Sequence, residues 1–160
     1  MLESLLPGVQ HLQNVHPLVI HFPIAFLVGA ALFYGASWIL RKDTLAVTAL
    51  SLLVVGTVFA GVAVGTGLYA EDGVMISRSV QENLLEHHEP LMLVTFGLSV
   101  GLTLWALIKE PFPKKGRSLF LLLFLVLLVV MTLGADYGAR MVYDYNAGGS
   151  ACSQPIEFTK

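Results

Sequence analysis

Four long apolar runs, separated by short polar connections, are the feature that most constrains the fold of this chain. A membrane-spanning helix needs about 20 predominantly apolar residues, because the hydrocarbon core of a bilayer is about 30 Å thick. Charged residues make up only 12% of the sequence, whereas about 25% is usual in soluble domains. The sequence therefore predicts an all-α, multi-pass integral membrane protein that folds as a four-helix bundle.

Prolines and charged residues indicate where the helices begin and end. The predicted helices span about 17–40, 44–70, 88–108 and 118–144. They form one transmembrane domain over 16–146, with an interfacial segment at 1–15 and an irregular tail at 147–160. Pro17 suits the first turn of a helix, where a missing N–H costs nothing. Pro23 lies one turn further on and should bend the first helix, because it removes a backbone hydrogen bond.

Basic residues in the short connections indicate how the bundle is oriented, because cytoplasmic loops carry an excess of Lys and Arg. Six of the nine basic residues lie in two of these connections: Arg41, Lys42, Lys109, Lys114, Lys115 and Arg117. We therefore expect these two connections to face the cytoplasm. Both termini would then lie on the outer, periplasmic side of the cell inner membrane.

All five histidines fall at the outer end of the predicted bundle. An ionisable side chain in or beside a membrane is by default a functional-site hypothesis, because it is costly there without a partner. The inner halves of the helices hold almost no polar groups, which argues against a channel or transporter. The histidines therefore mark the candidate site: His11, His16, His21, His87 and His88.

Two helices that each offer a histidine at the same depth favour a bis-histidine haem b site, because imidazole is a common axial ligand of haem iron. We favour His21 and His88 as the ligands. His16 lies about 140° around an ideal helix from His21 and is expected to support it, since both cannot face one iron. Arg140 could pair with a haem propionate. Glycines that would make room for the porphyrin are Gly61, Gly65, Gly67, Gly134 and Gly138.

Two alternatives remain open at this stage. The first is a copper, zinc or iron site, because imidazole and carboxylate groups bind these metals. Its candidate ligands are His16, His21, His87, His88, Glu71, Asp72 and Asp136. The second is a non-catalytic accessory subunit, in which the histidines join helix ends and stabilise a larger respiratory or photosynthetic complex.

Charge, cysteine content and motifs exclude several function classes. The net charge of −2 and the lack of a basic stripe give no support for nucleic-acid binding. Cys152 is the single cysteine, so an internal disulfide, a CxxC motif and a CxxCH haem attachment are all excluded. We expect an electron-transfer or accessory subunit rather than an enzyme by itself. Its partners would be membrane lipid and redox proteins or a larger membrane complex.

The run HPLVIHFPIA, which begins at His16, resembles the motif HPxxVHFPIA that opens the DUF2231 family of uncharacterised membrane proteins. Two further features agree with that family. His88 lies where the third helix opens, and Gly138 and Tyr143 form a glycine-and-tyrosine end to the fourth helix. The resemblance covers nearly the whole chain, about 14–148.

This resemblance implies a four-helix membrane domain that takes part in electron transfer, with a haem-binding role. His87 lies outside the family pattern, and Ala139 stands where the pattern has a second glycine. The resemblance implies that the functional set is His16, His21 and His88.

Overall fold

The computed structural model describes residues 15–71, 73, 76–109 and 111–147. Every regular element in that part of the chain is helical. Four helical segments are long and apolar enough to cross a membrane, and we call them the first to fourth spans: His16–Leu40, Asp43–Glu71, Arg78–Lys109 and Arg117–Tyr143. The prediction of an all-helical chain with four candidate spans is confirmed. Most of the predicted N-terminal segment and tail lies outside the described residues.

A slight break near the start of the first span follows from a proline. The span consists of the helices His16–Val19 and His21–Leu40, separated at Ile20. Pro23 has no N–H to donate to the carbonyl group four residues before it, so the backbone cannot be regular here. Ile20 keeps right-handed helical angles, so the axis continues through the break. The span ends at Arg41, which adopts a left-handed conformation with φ of 54°.

The third span begins earlier than the predicted start near residue 88. It opens with the short helix Arg78–Val80, continues through one π-helical turn, Gln81–Leu85, and becomes the α-helix Glu86–Lys109. Ser77 starts the helix, because its hydroxyl accepts a hydrogen bond from the backbone N–H of Val80. Apolar side chains then hold this segment against the fourth span in a small buried cluster: Val80, Leu84 and Met141.

The spans pack in chain order, each against the next, and the fourth packs against the first. Gly56 of the second span allows this close packing, because a Cβ atom there would lie 3.0 Å from the side chain of Leu27. Thr57 and Thr103 join the second and third spans through hydroxyl groups that lie 2.8 Å apart. Because short connections join successive spans that pack against each other, neighbouring spans run antiparallel. The start of the first span therefore lies at the same end of the bundle as the start of the third.

Aromatic rings fill the opposite end of the bundle. The ring centroid of Tyr34 lies 5.0 Å from the centroids of Phe112 and Phe120. The Tyr34 hydroxyl donates a hydrogen bond of 3.1 Å to the carbonyl oxygen of Pro111. We call this the aromatic end, defined by Tyr34, Phe112, Phe120 and Phe124. The other end is the histidine end, defined by His16, His87 and His88.

Candidate functional site

The ring of His16 is held by the second span. Its Nδ1 lies 3.1 Å from the hydroxyl oxygen of Thr66. That hydroxyl donates its single hydrogen to the carbonyl of Ala63, also at 3.1 Å. The Nδ1–H tautomer of His16 completes this chain, because the Thr66 oxygen can then accept from the ring while its own hydrogen goes to Ala63. The ring rests on Gly67, where a Cβ atom would lie 3.0 Å from Cε1 of His16.

The ring of His88 is held by the fourth span in a closely similar way. Its Nδ1 lies 2.7 Å from the carbonyl oxygen of Gly134. A carbonyl only accepts hydrogen bonds, so Nδ1 of His88 carries a proton as well. The ring rests on Gly138, where a Cβ atom would lie 3.0 Å from Cε1 of His88.

These contacts make His16 and His88 a matched pair. In a neutral imidazole with a proton on Nδ1, the lone pair available to a metal is on Nε2. A hydrogen bond from Nδ1–H also fixes the ring orientation and raises the basicity of the ligand nitrogen. Both side chains are partly buried, and both lie at the same end of the bundle. The histidine end can thus offer two oriented nitrogen ligands. One comes from the first span, held by the second, and the other comes from the third span, held by the fourth.

His21 has different surroundings from His16 and His88. It is exposed on the outside of the bundle, and no hydrogen bond to its ring is found in the described part of the chain. The next residue, Phe22, stacks on Phe59 with ring centroids 4.7 Å apart. The expected separation of about 140° between His16 and His21 explains this placement, because one faces outward when the other faces inward. The sequence analysis favoured His21 over His16 as a ligand, whereas the structure leaves His21 exposed and partly buries His16.

The other predicted site residues lie around this pair without joining it. The ring of His87 is exposed and stacks on Tyr137, with centroids 5.5 Å apart and an interplanar angle of 20°. Arg140 is half-exposed and lies 3.8 Å from a carboxylate oxygen of Asp144. Gly65 is exposed, and a Cβ atom there would meet no atom within 4 Å. These residues lie at the same end of the bundle as the histidine pair.

The described residues hold no group of three or more His, Cys, Asp or Glu side chains placed to bind a metal ion. Glu71 and Asp136, two of the predicted carboxylate ligands, are exposed, and Asp72 lies outside the described residues. A mononuclear site usually takes at least three protein ligands. A haem iron takes two axial ligands, because the porphyrin supplies the other four nitrogens.

Thr66 lies against His16 at this site and was missed by sequence reasoning. The signal that could have revealed it is a repeated pattern. His16 and His88 are each followed by a proline within two residues, and a glycine lies 51 residues after His16 and 50 after His88. These glycines, Gly67 and Gly138, are the ones on which the two rings rest. Comparing the two helix pairs would have singled out the residues beside both glycines, including Thr66.

Comparison with known proteins gives one match. The model of a family described as "Predicted membrane protein (DUF2231)" matches residues 12–151, which include all four spans. No curated protein and no solved structure matches the chain. The resemblance drawn from the opening motif is therefore confirmed.

Proposed function

The chain belongs to the DUF2231 family of predicted membrane proteins, and we propose that it is a b-type haem electron-transfer subunit with His16 and His88 as axial ligands. The observation that carries this proposal is the matched seating of the two imidazoles. Each ring donates from Nδ1 to a neighbouring span and rests on a glycine. Each therefore has its lone pair on Nε2, the nitrogen that can bind iron.

The residues at the histidine end fit the group that this proposal requires. Haem would supply one-electron chemistry, and the protein would hold and orient it. His16 and His88 would provide two neutral nitrogen ligands, with Thr66 and the Gly134 carbonyl fixing the rings. Arg140 lies at the same end in a long ion pair of 3.8 Å, so its guanidinium is available to a haem propionate.

The same proposal includes a location and partners. The excess of Lys and Arg at the aromatic end supports a cytoplasmic position for that end. The haem would then lie near the outer face of the cell inner membrane and exchange electrons with membrane or periplasmic redox proteins. Cys152, the single cysteine, offers a test of this orientation. A membrane-impermeant maleimide should label it in intact spheroplasts, and labelling only after lysis would reverse the topology.

A second candidate function is an accessory subunit in which the histidines hold helix ends together. The hydrogen bonds themselves favour it, since His16 joins the first span to the second and His88 joins the third to the fourth. On this account the imidazoles are structural and no metal binds Nε2. Asparagine can distinguish the two accounts, because its amide N–H can replace Nδ1–H but it has no group equivalent to Nε2.

The experiment compares purified wild type with His16→Asn and His88→Asn after expression with ample haem. We expect a Soret band that shifts on reduction in the wild type and is lost or converted to a high-spin form in both variants. His21→Asn and His87→Asn are matched controls and should keep the wild-type spectrum. A colourless wild type would contradict the haem proposal. Co-purification of a membrane complex that survives both asparagine variants would instead support the accessory role.

A further inference from the structure

A cleft of about 320 Å³ lies at the aromatic end, where the second and fourth spans begin. Its lining includes the apolar side chains of Val47 and Phe112 and the charged side chains of Asp43, Lys114 and Arg117. Because it lies where two membrane spans start, it is at the depth of lipid headgroups rather than of acyl chains. The cleft is far from the histidine pair and independent of the proposed haem site.

Arg117 is held in place at this cleft but its hydrogen-bonding capacity is incompletely used. Its guanidinium carbon lies 4.9 Å from the ring centroid of Phe112, a cation–π contact. Its Nε is buried and has no hydrogen-bond partner among the described residues. Because Nε is buried, the groups of Arg117 that can reach a ligand in the cleft are the two terminal guanidinium nitrogens, which are not among the buried unpaired atoms. Arginine suits phosphate oxygens in particular, because its planar donors match their geometry.

The lining of the cleft also includes a negatively charged side chain. Asp43 lines the cleft together with Lys114 and Arg117, yet no salt bridge joins Asp43 to a basic residue within the described ranges. A carboxylate at this position would repel a simple anion. Two positive side chains and one negative side chain are instead complementary to a ligand that carries both a phosphate and an ammonium group.

We propose that this cleft binds the headgroup of phosphatidylethanolamine, with the phosphate at Arg117 and Lys114 and the ammonium at Asp43. The glycerol and the first part of the acyl chains would lie on Val47 and Phe112. A phosphatidylglycerol headgroup has the phosphate without the ammonium. Phosphatidylcholine has a quaternary ammonium that cannot donate an N–H hydrogen bond to Asp43. The cleft should therefore prefer phosphatidylethanolamine to both.

The test is native mass spectrometry of the full-length chain in detergent, with the three lipids carrying the same acyl chains. We expect phosphatidylethanolamine to bind about tenfold more tightly than phosphatidylglycerol or phosphatidylcholine, in keeping with one charge-assisted hydrogen bond. Asp43→Asn should remove the preference over phosphatidylglycerol. Lys114→Gln should weaken the binding of both phosphatidylethanolamine and phosphatidylglycerol. Lys115→Gln, in the same connection, is the matched control and should weaken the binding of neither.

Arg117→Gln should also weaken the binding of phosphatidylethanolamine and phosphatidylglycerol. Arg117→Lys keeps the positive charge and should retain part of this binding, which separates loss of charge from misfolding. Equal binding of the three lipids, or a preference for phosphatidylglycerol in the wild type, would overturn the proposal. So would equal effects of Lys114→Gln and Lys115→Gln. Soluble O-phosphoethanolamine should not displace the lipid at equal concentration; if it does, the ligand is a free phosphate compound rather than a lipid.

Discussion

The two ends of the bundle are built on different principles. At the aromatic end, large rings fill the space between spans, and Tyr34, Phe120 and Phe124 are fully or almost fully buried. At the histidine end, glycines allow two partly buried imidazoles to lie directly against the opposing helices, and each ring is fixed by a hydrogen bond to a neighbouring span. At the aromatic end, the side chains therefore fill the core. At the histidine end, close helix packing holds two imidazole rings in fixed orientations.

If the proposed haem function is right, this difference separates stability from function within one bundle. Between apolar helices in lipid, packing is the main source of stability, because the acyl chains are as apolar as the side chains. Substitutions at the aromatic end should therefore change the free energy of unfolding and leave a bound haem unaffected. Substitutions at the histidine end should cost less stability and should weaken haem binding. Four variants test this contrast, from the largest expected effect on stability to the smallest.

Phe120→Ala should give the largest loss of stability. The Phe120 ring is fully buried and contacts the rings of Tyr34, Phe112 and Trp105. Its removal leaves a cavity, and we expect a loss of about 3–5 kcal/mol in the free energy of unfolding. Denaturation in mixed micelles measures this, with the exposed Leu119→Ala as control. A loss equal to that of the control would show that the rings do not hold the bundle together.

Gly138→Val should cost less stability but should abolish haem binding. A Cβ atom here would already lie 3.0 Å from Cε1 of His88, so the larger side chain must displace the ring. Overpacking of this kind costs about 1–3 kcal/mol. Gly65→Val is the matched control, because nothing lies within 4 Å of a Cβ atom there. An unchanged Soret band in Gly138→Val would contradict the role assigned to this glycine.

Thr66→Val should have a modest effect on stability and a larger effect on the affinity for haem. It keeps the shape of the side chain but removes the oxygen that accepts from Nδ1 of His16. The lost hydrogen bond should cost about 1 kcal/mol. Loss of a group that orients a metal ligand typically lowers affinity about 10- to 100-fold. Haem titration of the apoprotein measures this, with Thr132→Val, an exposed threonine of the fourth span, as control. Equal affinities would mean that Thr66 does not orient His16.

Tyr34→Phe should cost no more stability than Thr66→Val and should not affect the ligand. It keeps the ring contacts and removes only the hydroxyl that donates to the Pro111 carbonyl. We expect a loss of about 1 kcal/mol in the free energy of unfolding and no change in the absorption spectrum. A spectral change would show that the two ends are coupled.

The sequence was sufficient for the spans but not for the roles of individual histidines. Apolar length identifies a membrane helix because the bilayer sets a minimum span, and the four runs met that condition. Helical geometry predicted that His16 and His21 point in different directions, about 140° apart, and in the structure His16 is partly buried whereas His21 is exposed. Which of the two faces inward depends on how the first span is rotated against the second. That rotation is set by contacts such as Gly67 on His16, which a single sequence does not reveal.

The third span and Thr66 show the same limit. Polar residues before Glu86 indicated a connection, yet Val80 and Leu84 pack on Met141 and extend the helix back to Arg78. Thr66 lies among glycines and alanines and has no unusual local pattern. Its importance comes from a partner 50 residues away in the chain, because it accepts a hydrogen bond from His16.

The most direct test of the central claim is near-infrared magnetic circular dichroism of the oxidised, purified protein, because this spectrum identifies the axial ligands of a low-spin haem. The account predicts the signature of two imidazole ligands in the wild type, retained in His21→Asn and lost in both His16→Asn and His88→Asn. A histidine–methionine signature, or a bis-histidine signature that survives His16→Asn but is lost in His21→Asn, would contradict the assignment of His16 and His88 as the ligand pair.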